Sequence, residues 1–271
     1  MVMQPGPASD AGFRAARHSP APGSRAWRRT AAGTVLVLAL CGLGVATQGA
    51  LTQVMPRRFT IAQQRQIQSW EIARRWRTLP ETAIFPGFVS YQLPSQAFEG
   101  GDGLALSAQR LGIGPPAACT GGTDPAAAKV LDRYGCTTIL RATYVDSTGS
   151  MLVTVGVAVL PSIPAATAAG NRLAPPKLQV TTGSVTPVPV AGTLAARFGP
   201  AQRQLSWATH AGSYVIMATA GYVDGRPPSH VTADSYLFAE MLNLTQGLGD
   251  TVSGVLGKAP PVPTCPGAPG C

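Results

Sequence analysis

The sequence predicts an α+β fold: an N-terminal transmembrane helix followed by a mixed, mainly antiparallel sheet packed against a long C-terminal helix. Three observations carry this. No charged side chain occurs from Ala31 to Pro56. The stretch CTTILRATYVDSTGSMLVTVGVAVLP (136–161) reads as a β-hairpin turning at Asp146-Ser147-Thr148-Gly149. Near the C-terminus, Tyr236, Leu237, Ala239, Met241, Leu244, Leu248, Val252 and Leu256 fall on one helical face.

Residues 1–29 mix Pro, Gly, Ala, Ser and Arg without apolar period and are expected to form a disordered cytoplasmic tail. The span is placed at 30–54. Its greasiest part is roughly 20 residues, enough at about 1.5 Å each to cross about 30 Å of hydrocarbon. Trp27 stands at its edge as an interfacial aromatic would. Competing export signals fit less well. A cleavage site after Gly44-Val45-Ala46 leaves apolar sequence beyond it, Leu40 before Cys41 spoils a lipobox, and Arg28-Arg29 lacks the following apolar pair of a twin-arginine signal. Ala39, Gly42, Ala46 and Gly49 (or Ala50) make a small-residue face through which two such helices could approach.

Charge sharpens the picture. The net charge of +9 resides entirely in residues 1–80, where eleven arginines face Asp10 and Glu71. Residues 81–271 are neutral, so the expected domain has no electrostatic footprint for nucleic acid. Residues 55–80 carry no Gly or Pro between Arg57 and Leu79 and predict a juxtamembrane helix, either lying on lipid headgroups or standing as a stalk.

The domain itself is expected over 82–258. From Ala83 the pattern turns to strands, in IFPGFVSYQL and GLALSAQRLGI. A helix follows at 124–134 with Gly135 ending it, then the hairpin of 136–161, whose second strand is apolar enough to be central. IPAATAAGNRL predicts a short helix with Gly170 as its C-terminal cap. One short strand is expected in the Pro-rich stretch 174–193. A second hairpin turns at His210 to Ser213, and its ATAGYVDG echoes RATYVDSTG of the first. Residues 259–271 form a Pro/Gly-rich tail.

Four cysteines follow the span, an even number. The simplest pairing is Cys119–Cys136 across the intervening helix and Cys265–Cys271 in the tail. The Pro-Pro before Cys119 suggests an exposed loop there. Disulfides would place residues 57–271 in an oxidising compartment outside the plasma membrane, with the N-terminus cytoplasmic. No zinc spacing, nucleophile elbow, phosphate loop or metalloprotease motif is present. The best polar cluster is Asp224, Arg226, His230 and Asp234, whose plainer reading is a loop capping the last helix. No catalytic residue, metal or cofactor is assigned.

VLDRYGCTTILRATYVD, then MLVTVGVAVLP, then an Ala-rich helix resemble actinobacterial single-pass envelope proteins of unassigned function. More distantly, they are similar to the extracytoplasmic sensor domains of mycobacterial serine/threonine kinases. The resemblance implies an exported sensing or interaction module and transfers no site residue. The expected partners are the bilayer and, through the small-residue face, another membrane protein or a second copy. The alternatives are an envelope hydrolase or metal enzyme on the 224–234 loop, and an accessory subunit of a membrane machine.

Overall fold

The computed structural model of the chain describes residues 59–93, 103–174, 183–228 and 236–261, with side chains of the last stretch from Ala239 onward. The predicted N-terminal tail 1–29, the span 30–54 with Ala39, Gly42, Ala46 and Gly49, and Cys265 and Cys271 in the C-terminal tail all lie outside the described residues. Among the described residues no helix is long and apolar enough to cross a membrane.

The hairpins predicted at 136–161 and around His210 to Ser213 form, and an antiparallel strand pair precedes them. β1 (Phe88–Leu93) pairs with β2 (Leu104–Ala117), and β3 (Thr138–Asp146) pairs with β4 (Met151–Val159). Asp146 builds the β3–β4 turn, its carboxylate accepting from the backbone N–H groups of Thr148 (2.9 Å), Ser150 (2.8 Å) and Met151 (2.6 Å). β5 (Arg203–Ala211) and β6 (Tyr214–Tyr222) join through Gly212-Ser213, with Gly212 at φ +57°. The sheet has six strands in the order β1-β2-β3-β4-β6-β5. β4 and β6 are buried at every position, as a central strand requires.

A mixed sheet was expected, but every ladder among the described residues is antiparallel. The reason is topological. After β4 the chain crosses the sheet, enters at the far edge as β5, and hairpins back as β6. β4 and β5 run parallel, but β6 lies between them and no parallel ladder can form.

Among the described residues six α-helices and one 3₁₀ turn accompany the strands. α1 (Ile61–Thr78) starts at a Thr60–Gln63 capping box, so the helix expected over 55–80 runs from Ile61 among the described residues. Next comes α2 (Glu81–Ile84), a single turn that corrects the expectation of a strand from Ala83; it delivers Ile84 and Phe85, both fully buried, to the core. α3 (Cys119–Gly122) and α4 (Pro125–Arg133) follow β2. Gly135 ends α4 at φ +77°, with the Cys136 N–H bonded back to the Leu131 carbonyl at 3.0 Å. α5 (Ile163–Leu173) matches its predicted span, and α6 (Tyr236–Gly257) is the long C-terminal helix. A 3₁₀ turn (Pro200–Gln202) precedes β5.

Three further expectations change. Gly170 does not cap α5, which runs to Leu173 with Ala174 as its C-cap; it sits inside the helix where a Cβ would come within 3.0 Å of His210. Pro115 and Pro116 belong to β2, not to a loop, because a register shift between Gly114 and Ala117 accommodates residues that cannot donate. The Pro-rich stretch forms no strand in its described part; residues 183–199 make only an isolated Thr123–Val185 bridge and lie as a strap across the sheet.

The sheet is thus covered on both faces. α6 lies on one, where Met241, Leu244, Leu248, Val252 and Leu256 are fully buried against β1, β4, β5 and β6. It approaches closely because Gly249 leaves room for Trp207: a Cβ there would come within 2.0 Å of the indole. The other face carries α3, α4, α5 and the strap. Gly156 in β4 admits Val185 of the strap, a Cβ there falling 2.6 Å from it.

Candidate functional site

α1 stands where the predicted span would hand over to the domain, and the domain holds it. Its side toward the domain is half-buried at helical spacing through Ile67, Gln68, Glu71, Ile72, Arg75 and Trp76. Arg75 donates to the carbonyls of Val255 (2.8 Å) and Leu256 (3.4 Å), the last turn of α6, where positive charge is favoured. Gln68 donates to the Pro260 carbonyl at 3.3 Å. The Tyr214 hydroxyl donates to the Ile72 carbonyl at 2.5 Å, and burial raises its pKa so that it keeps this proton.

Beside this docked helix lies an open cleft of about 410 Å³. One wall is Gln66, Ser69, Trp70 and Ala73 of α1; the other is Pro161 to Pro164 at the β4–α5 turn; Ser213 forms part of the floor. Trp70 (54 % exposed) and Ile163 (45 % exposed) both line it. The cleft is therefore apolar and open, and suits contact with an apolar or aromatic surface better than bond-making chemistry. Sequence reasoning missed it because its walls lie far apart in the chain. The one available signal was Trp70 amid arginines.

The polar cluster resolves only in part. Asp224 and Arg226 form an exposed ion pair across Gly225, with Arg226 also 4.8 Å from the Tyr222 ring centroid. The hydrogen bond from Arg226 holds the Asp224 carboxyl below its ordinary range. An ionised, paired carboxylate is a poor general base. His230 and Asp234 lie outside the described residues. Among the described residues no group of three His, Cys, Asp or Glu side chains could hold a metal.

A polar group the sequence did not signal sits at one end of the sheet. The Tyr91 hydroxyl donates to Glu240 at 3.3 Å, linking β1 to α6 near Asp146. Burial, then the Glu240 and Asp146 charges, raise the pKa of Tyr91, so it remains a donor; burial and then the Asp146 charge raise that of Glu240.

Cys119 and Cys136 are disulfide-bonded, with Cα atoms 6.2 Å apart. The bond ties the start of α3 to the chain entering β3. Cys119 is 4 % exposed and packs with Leu131, Ile139 and Val185, so the exposed loop expected there is a buried helix start instead. Compared with protein-family models, with curated proteins and with solved structures, the chain matches none.

Proposed function

We propose that this chain is a membrane-anchored interaction or sensor module acting outside the plasma membrane of a bacterial cell envelope. The observation that carries the reading is the Cys119–Cys136 bond. Disulfides persist in oxidising compartments and are rare in the reducing cytosol. The charge-free run from Ala31 to Pro56 supports an anchor, and the arginine-rich tail before it supports a cytoplasmic N-terminus. The electrically neutral domain and its apolar cleft fit a surface that binds, and the resemblance to actinobacterial envelope proteins points the same way.

Reporter fusions after Lys258 test the topology. Alkaline phosphatase should be active there and green fluorescent protein, sent by the general export route, dark; the opposite pair removes the reading. Maleimide labelling of unreduced protein from the envelope tests the disulfide separately: neither Cys119 nor Cys136 should react.

A further inference from the structure

We infer that α1 and the β4–α5 turn form a docking surface for anionic lipid headgroups, which holds the domain down on the bilayer; this rests on the membrane-anchored reading above. The first observation is orientation. Because Arg75, Gln68 and Tyr214 fasten one side of α1 to the domain, the opposite side faces outward in a fixed way. The second is charge. Arg74 and Arg77, four and seven residues on from Trp70 and so on its face of the helix, are exposed, whereas Glu71, the only acid in the helix, is half-buried. The third is the pair of exposed apolar side chains, Trp70 and Ile163, at the same cleft.

These features match an interfacial helix. A Trp at headgroup level keeps its ring in the apolar boundary, while arginines beside it reach headgroup phosphates. Arg74 already stacks on Trp70, its guanidinium carbon 4.0 Å from the ring centroid, so the cation and the ring enter the interface as one unit. Distance supports the same occupant. The predicted span ends at residue 54 and α1 begins at Ile61, a connection that reaches about 25 Å even fully extended. A surface so tethered meets lipid at high effective concentration, whereas a soluble partner must diffuse to it.

Tryptophan quenching by brominated lipid in bilayers holding the full chain tests this, because Trp27 serves as an internal reference for the span. In anionic bilayers wild type should be quenched, Trp27→Phe should keep part of that quenching, and Trp27→Phe combined with Trp70→Phe should lose it. Arg74→Gln with Arg77→Gln should weaken the Trp70 component several-fold, as should a change to zwitterionic lipid. If Trp27 is quenched but Trp70 is not, the docking is overturned and the span stands; the cleft is then left to a protein partner. If Trp70 is quenched equally in both lipids, the assignment to anionic headgroups is overturned. If Trp27 is not quenched, the span fails, and the docking with it.

Discussion

The face of the sheet under α6 and the face under the strap are both buried, yet opposite chemistry closes them. A helix satisfies its own backbone hydrogen bonds, so α6 needs only apolar contact, and residues such as Val153, Val155, Ile216 and Ala218 provide it. The strap has no ladder of its own and brings unpaired N–H and C=O groups onto the sheet. The sheet answers with a row of hydroxyls in register: Thr143 on β3, Thr154 on β4, Thr219 on β6 and Ser206 on β5. The Val188 N–H donates to Thr154 (3.2 Å), and Thr143, 2.7 Å from Thr154, donates to the Val188 carbonyl (2.7 Å). Thr219 donates to the Val185 carbonyl at 2.6 Å. This row separates two apolar clusters, one around Leu131, Ile139 and Met217, the other around Leu152 and Phe198. Irregular backbone can cover a sheet, provided the sheet gives up some apolar area to receive it.

The largest effect should come from the apolar face. Leu248→Ala removes a fully buried side chain packed between helix and sheet, and should cost about 4 kcal/mol. Denaturant melts measure it. A loss below about 1 kcal/mol would mean that α6 does not pack on the sheet as described.

Next come the polar devices of the strap side. Asp124 and Arg203 form an ion pair at 2.6 Å with side chains 16 % and 8 % exposed, and Asp124 also accepts from the Ser184 N–H at 3.0 Å. Asp124→Ala strands the Arg203 charge and should cost about 3 kcal/mol. Thr154→Val keeps the shape but leaves the Val188 N–H without its acceptor, and should cost about 1 to 2 kcal/mol. Hydrogen exchange sharpens the contrast: Thr154→Val should deprotect Val188 and leave α6 amides at their wild-type rates, once global stability is matched. Equal deprotection on both faces would mean that helix and strap hold the sheet in the same way.

What could be read beforehand follows the same division. Local pattern announces β3, β4 and α6: alternation in β3, an unbroken apolar run in β4 and an apolar stripe in α6. Pro125 and Gly135 announce the ends of α4, and the spacing of Cys119 and Cys136 across it suggested their bond. The hydroxyl row was hidden, because Thr154 and Thr219 become neighbours only when β6 inserts between β4 and β5. The cleft was hidden for the same reason, since α1 and the Pro161–Pro164 turn approach only in the folded chain.

The smallest effect concerns Glu240, which belongs to the α6 side yet is polar. Burial, and then the Asp146 charge, hold its pKa above the ordinary value of 4.5, while the Tyr91 hydroxyl pulls the other way. A carboxyl whose folded pKa is raised binds more protons folded than unfolded over the interval above 4.5. In that interval stability must fall as pH rises, and the favourable contribution is complete only below 4.5. Glu240→Gln carries no titrating group and still presents a carbonyl oxygen to Tyr91. The variant should therefore lack this part of the decline, and should match or exceed wild type at neutral pH. Stability of the two proteins measured from pH 4 to pH 8 gives a difference curve in which every other carboxyl cancels. A difference that grows above 4.5 in favour of glutamine supports the assignment. A curve that instead favours glutamate with rising pH would show the carboxylate to be stabilised at this site, and the end of the sheet under α6 would then be polar by design like the face beneath the strap.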